Sequence, residues 1–219
     1  TFSLPNNVCN SPTVTNANDS GAGSLRQAIS TVCPGGVITF DNDYTIYLSS
    51  TLTLNKVVTI NGAGHAIIIS GDTGGNGTKD LRPVVIGASG VVTLTHLSLM
   101  HGTATTGSAL YNGGTLTLDT VTVANNDAAS NNVANLGTLY NTGTLTVQNS
   151  TFAHNETYRG GGIYHQSGTA TVTNSTFAGN TASNNGGAIV SIETLTVTNS
   201  TFVNNSALMT GAILANGVT

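Results

Sequence analysis

The sequence predicts an all-β chain wound as a single-stranded parallel β-helix. This is a β-solenoid with three strands and about 25 residues per coil, right-handed by expectation, with a short N-terminal capping helix. Three observations carry this. First, residues 143–155 recur at 168–180 and again, at the same interval, at 193–205. A fixed period in this range marks a stack of units that bury their apolar sides only against neighbours. Second, Thr144, Leu145, Thr146 and Val147 alternate with period two, as a strand with one buried face does. Third, two further short β-type runs complete each repeat, one at Thr151-Phe152 and its copies, the other ending in Ile163, Ile189 and Ile213.

Stacking the repeats at the ordinary strand spacing of about 4.8 Å puts like residues in columns. Leu145, Ala170 and Leu195 stack inside, as do Phe152, Phe177 and Phe202. Asn149, Asn174 and Asn199 fall at a turn, and Asn155, Asn180 and Asn205 form a second asparagine column. Stacked asparagines can hydrogen-bond along the axis.

In chain order, residues 1–36 read as a cap and residues 37–219 as one continuous β-helix. Ser24 with Gln27 three positions on is a capping box. Leu25, Ala28, Ile29 and Val32 then share one face of a short helix. Such a helix hides the exposed edge of the first coil. Strands are expected at 37–40, 45–48, 51–54, 57–60 and 66–69, then a flexible polar loop over 71–82 whose Asp72 and Asp80 are too few for calcium. More strands follow at 83–86, 91–94, 97–100, 108–111, 115–118, 121–123 and 138–140, with extra residues near 128–133 placed at a turn.

Only 6% of the 219 residues are charged, and the formal net charge is −4 with five Lys+Arg. That balance argues against a nucleic-acid partner. No apolar run has membrane-spanning length. The two cysteines, Cys9 and Cys33, lie near the N-terminus. A bridge between them closes a loop worth roughly 3 kcal/mol and implies an oxidising compartment; two free thiols are the alternative. The chain starts at Thr1 rather than Met, as a mature product or a trimmed chain does, and export is an expectation.

Residues 14–29, followed by 37–40, resemble the N-terminal region of secreted bacterial β-helix proteins that carry a Cys-Ser-Leu-Arg-Glu-Ala motif. Here the motif reads Gly23, Ser24, Leu25, Arg26, Gln27, Ala28, with its Cys and Glu positions replaced. The Phe-x-x-Asn segments at 152–155, 177–180 and 202–205, and the Gly-Gly-Ala-Ile segment at 186–189, are similar to repeats of polymorphic outer-membrane-protein adhesins. The resemblance implies a right-handed β-helix, extracellular and at a cell surface or in a matrix. It supplies no catalytic residue, cofactor or metal.

The residues themselves point the same way. Lyases on this fold need clustered carboxylates, and hydrolases need paired ones. Asp119 instead shares its column with Gln148, Thr173 and Thr198, while Asp41 and Asp43 suit a turn. His154, Glu156, Arg159 and His165 form the densest polar group and read as solvated turn residues. His96, His101 and His154 fall in different columns or non-adjacent coils, a poor metal cage. A non-enzymatic structural or adhesive protein is therefore expected, with a polysaccharide-binding or polysaccharide-degrading β-helix as one alternative and host-surface or polysaccharide ligands as the partners considered.

A second alternative comes from the outward face. Thr115/Thr117, Thr144/Thr146, Thr169/Thr171 and Thr194/Thr196 make a flat grid, one row per coil. It resembles the ice-binding faces of β-solenoid antifreeze proteins, although Thr is also simply a good exposed strand residue. At the C-terminal end the sequence enters a new coil and stops, leaving an open strand edge; either the chain is a fragment of a longer solenoid or another molecule covers that edge. Head-to-tail self-association into a filament is the expectation, with Thr1, Phe2, Ser3 and Leu4 of one copy meeting Gly217, Val218 and Thr219 of another.

Overall fold

A computed structural model describes residues 10–128 and 134–216, and its strands stack in parallel as a β-solenoid of about eight turns. The first face runs through Thr13–Val14, Gly36–Phe40, Val57–Asn61, Val91–Met100, Thr115–Ala124, Thr144–Gln148, Thr169–Thr173 and Leu195–Thr198. Around a corner the same sheet continues through Tyr44–Tyr47, Ile67–Ser70, the second halves of the two ten-residue strands, Thr151–Ala153, Thr176–Ala178 and Thr201–Val203. Another face stacks Leu52–Leu54, Val84–Ile86, Leu110–Asn112, Leu139–Asn141, Ile163–His165, Ile189–Ser191 and Ile213–Ala215. The last three coils add a short fourth strand beyond the expected three: Glu156–Arg159, Thr181–Asn185 and Ser206–Ala207. Thr13–Val14, inside the segment assigned to the cap, pairs with Thr39 and Phe40 and so begins the stack.

The registers follow the columns. Leu145 lies opposite Ala170 and Ala170 opposite Leu195; Phe152, Phe177 and Phe202 are opposite one another in turn. The phenyl rings stack with centroids 4.9 and 5.0 Å apart and planes within 8°. Such offset stacking adds about 0.5–1.5 kcal/mol per pair beyond area burial. The two asparagine columns do different work. Asn126, Asn155, Asn180 and Asn205 form the hydrogen-bonded ladder: each Nδ2 donates to the next Oδ1 at 2.9–3.0 Å. Each Oδ1 from Asn155 onward also accepts the backbone N–H of the residue one coil earlier. Asn149, Asn174 and Asn199 are instead exposed and hold a left-handed corner at φ 51, 48 and 49°, without a side-chain ladder among them. That conformation costs Asn less than most residues, because its short amide bonds locally.

His96 and Thr120 occupy the same corner column, and His101, Asn125, His154, Gly179 and Asn204 form a second, all at positive φ. From the coil that holds His96 and His101 onward, these two columns bend each coil at the same two places. A glycine column, Gly90, Gly114, Gly143 and Gly168, turns the chain into the first face. A Cβ on Gly143 would meet Gly114 O at 2.0 Å, and one on Gly168 would meet Gly143 O at 2.1 Å.

The capping helix spans Leu25–Thr31 and buries Leu25, Ala28 and Ile29 over the first coil. Ser24 Oγ accepts from Gln27 N, as a capping box requires, but Gln27 Oε1 reaches Gly23 N rather than Ser24 N. Ser24 N is taken by Gly21 O. Arg26 fastens the helix, pairing with Asp19 and donating to Ser50 O and Thr51 O. Lys56 Nζ donates to Ser30 O and Val32 O, placing a cation at the helix C-terminus where the dipole favours one.

The loop 71–82 is built around two carboxylates rather than left open. Asp72 accepts from the N–H groups of Gly74, Asn76 and Gly77, and Asp80 from Thr73 and Thr78. Burial pushes the Asp72 carboxyl up, but these backbone donors outweigh it and hold the group below its ordinary value. Cys33 is free and half-buried, and its Sγ accepts from Asn10 N at 3.2 Å. The Cys9–Cys33 pairing falls outside the described residues, since Cys9 does.

Candidate functional site

Two surfaces stand out: the flat first face and the edge of the last coil. On the first face, parallel pairing places Thr115 opposite Thr144 and Thr144 opposite Thr169. Thr117, Thr146, Thr171 and Thr196 align in the neighbouring column. Thr194 continues the first column, its carbonyl accepting from Ala170 N. The alternation that buries Leu116, Leu118, Leu145 and Val147 necessarily turns these threonines outward.

The grid extends further than its Thr-x-Thr signature. Thr93 pairs with Thr117, and Thr59 with Thr93, lengthening the second column. Val91 pairs with Thr115 and Val57 with Val91, so the first column continues as valine, each 45% exposed. Valine is isosteric with threonine, so the shape persists where the Thr-x-Thr pattern ends. No hydroxyl of the grid has a protein partner among the described residues, whereas those of Thr51, Thr138, Thr142 and Thr157 are all used. The third column of this face is mixed: Asn61, Thr95, Asp119, Gln148, Thr173 and Thr198. Asp119 there bonds Asn149 Nδ2 at 2.9 Å.

The last described coil has one neighbour only. Phe177, Val172 and Ile189 are fully buried, yet Phe202, Val197 and Ile213, directly opposite them, are half-exposed. Beside them Leu208 and Met209 are 79% and 70% exposed. The strands Thr201–Val203, Ser206–Ala207 and Ile213–Ala215 each pair on one side. Thr1, Phe2, Ser3, Leu4, Gly217, Val218 and Thr219, expected at a subunit contact, lie outside the described residues.

The polar side chains singled out by type do not converge. His165 lies inside the stack at the foot of a buried column: Asn112 Nδ2 donates to Asn141 Oδ1, and Asn141 Nδ2 lies 2.9 Å from His165 Nδ1. Burial lowers its pKa, opposed by its Nε2 bond to Thr194 O and by Glu193, and Nε2 donates to that carbonyl. Arg159 bonds Asn184 and covers Tyr158, Glu156 is solvated, and His154 is a corner. Sequence reasoning missed a stack of Tyr111, Tyr140 and Tyr164, with ring centroids 5.6 and 5.5 Å apart and Arg82 over the first. Each tyrosine directly follows a core position of the repeat, Leu110, Leu139 or Ile163, and that shared place was the available signal. The rings cover one another's faces, leaving edges rather than platforms. Among the described residues no group of three or more His, Cys, Asp or Glu is placed to hold a metal, and no helix is long and apolar enough to cross a membrane.

These surfaces define a repetitive parallel β-solenoid with an uncharged two-column face. No family model matches the chain, and a search of curated proteins finds no match.

Proposed function

We propose that this chain is a non-enzymatic structural element of an extracellular surface or matrix, a stiff β-rod that lengthens by end-on addition of a second copy. The observation that carries the reading is the like-on-like register of successive coils, in which Phe152, Phe177 and Phe202 and the asparagines Asn126, Asn155, Asn180 and Asn205 repeat one above another. Each coil is a template for the next, so a layer of the same kind fits the strand edge of the stack in hydrogen bonding and in column chemistry. A contact between unlike ends is heterologous and propagates as a fibre. The likeness of residues 14–29 to secreted bacterial β-helix proteins supports export.

Electron microscopy of the natural protein at rising concentration is the test. End-on filaments with an axial repeat of one subunit are expected, and Phe202→Asp abolishes them while leaving the monomer folded. Dispersed rods at every concentration defeat the reading. So does a natural polypeptide whose next coil covers this edge internally.

A further inference from the structure

We propose that the two-column face from Val57 and Thr59 to Thr194 and Thr196 binds crystalline water, adsorbing to ice through an ordered first hydration layer. The inference is independent of the end-on reading, since this face runs along the rod and not across its end.

Four properties point to this ligand. Every residue in both columns is β-branched and carries a γ-methyl, whether Thr or Val, so apolar bumps repeat without a gap. The spacing is fixed by the backbone: about 4.8 Å between coils and about 6.6 Å between outward residues of one strand. Repeats of that order suit the faces of hexagonal ice. The hydroxyls are uncommitted, so each can donate to and accept from water. Finally, the pairings from Val57–Asn61 to Leu195–Thr198 carry no register shift, while the register shift between Thr157 and Arg159 lies on another face.

The chemistry also argues against a polysaccharide at this face. Sugar recognition draws on aromatic platforms or on amide and carboxylate groups, and these two columns have neither. The inner columns Leu94, Leu118, Val147 and Val172 lock the grid from behind, so little ordering is left to be done on contact.

The experiment measures thermal hysteresis and ice-recrystallisation inhibition of the full chain. Wild type shows both. Thr146→Tyr and Thr171→Tyr, whose side chains break the plane, lose both while keeping the wild-type circular dichroism and melting curve. Val91→Thr retains both, and so does Thr53→Tyr on a different face. No hysteresis in wild type overturns the proposal, as does hysteresis unchanged in Thr171→Tyr. A Thr171→Tyr variant that changes only sedimentation also overturns it, by making the face a lateral contact between copies.

Discussion

Replacing Asn180 by alanine separates the two asparagine columns that look alike in sequence. Asn180 is fully buried. Its Nδ2 donates to Phe152 O and Asn205 Oδ1, each at 2.9 Å. Its Oδ1 accepts from Asn155 Nδ2 at 2.9 Å and Asn155 N at 3.2 Å. Alanine leaves those two Asn155 donors buried without their acceptor, and each such orphan costs about 1–3 kcal/mol. The expected loss is therefore about 4 kcal/mol, read from guanidinium unfolding followed by far-ultraviolet circular dichroism. Asn174→Ala, at an exposed corner with φ 48°, loses only the αL tolerance of Asn, about 1 kcal/mol. The double variant Asn155→Ala/Asn180→Ala costs less than the sum of its singles, because one rung is shared. Equal losses in Asn180→Ala and Asn174→Ala refute the ladder.

Further outcomes follow from the same geometry. Phe177→Ala costs about 3–5 kcal/mol for the cavity plus two lost ring contacts, and Phe202→Ala, half-exposed, costs clearly less by the same assay. The folded-state pKa of His165 is depressed, so its contribution to stability is present above the unfolded value of about 6.5 and is lost as pH falls toward the folded pKa. Melting temperature should drop over that window, and His165→Asn should flatten the drop. Gly143→Ala drives a Cβ into the Gly114 carbonyl and should destabilise more than Gly21→Ala, whose Cβ meets no atom and which carries only the backbone strain of φ 91°; differential scanning calorimetry measures the difference.

The columns were legible because a fixed repeat makes each position predict its neighbours. The capping helix was legible for a different reason, since its Ser24 cap and apolar face are local signals. The fourth strand escaped notice because Glu156–Arg159, Thr181–Asn185 and Ser206–Ala207 have no apolar alternation; pairing between coils makes them strands, not their own sequence. The corners were legible in part: Asn149, Asn174 and Asn199 marked a turn, while His96 and Thr120, which share its left-handed conformation, share no side-chain pattern with them. The ladder was half legible: both asparagine columns repeat, but only burial and the hydrogen bonds show that the Asn155 column bonds along the axis and the turn column does not. On the first face the Thr-x-Thr signature was plain, while Val57 and Val91 joined it only once strand register was known.

Nuclear magnetic resonance with selectively labelled phenylalanine tests the stacking most directly. Ring-to-ring contacts should connect Phe152 to Phe177 and Phe177 to Phe202, with none between Phe152 and Phe202, and amide contacts should report parallel neighbours one coil apart. Phenyl rings that make no mutual contact, or cross-strand amide patterns of the antiparallel kind, would contradict the solenoid and everything built on it.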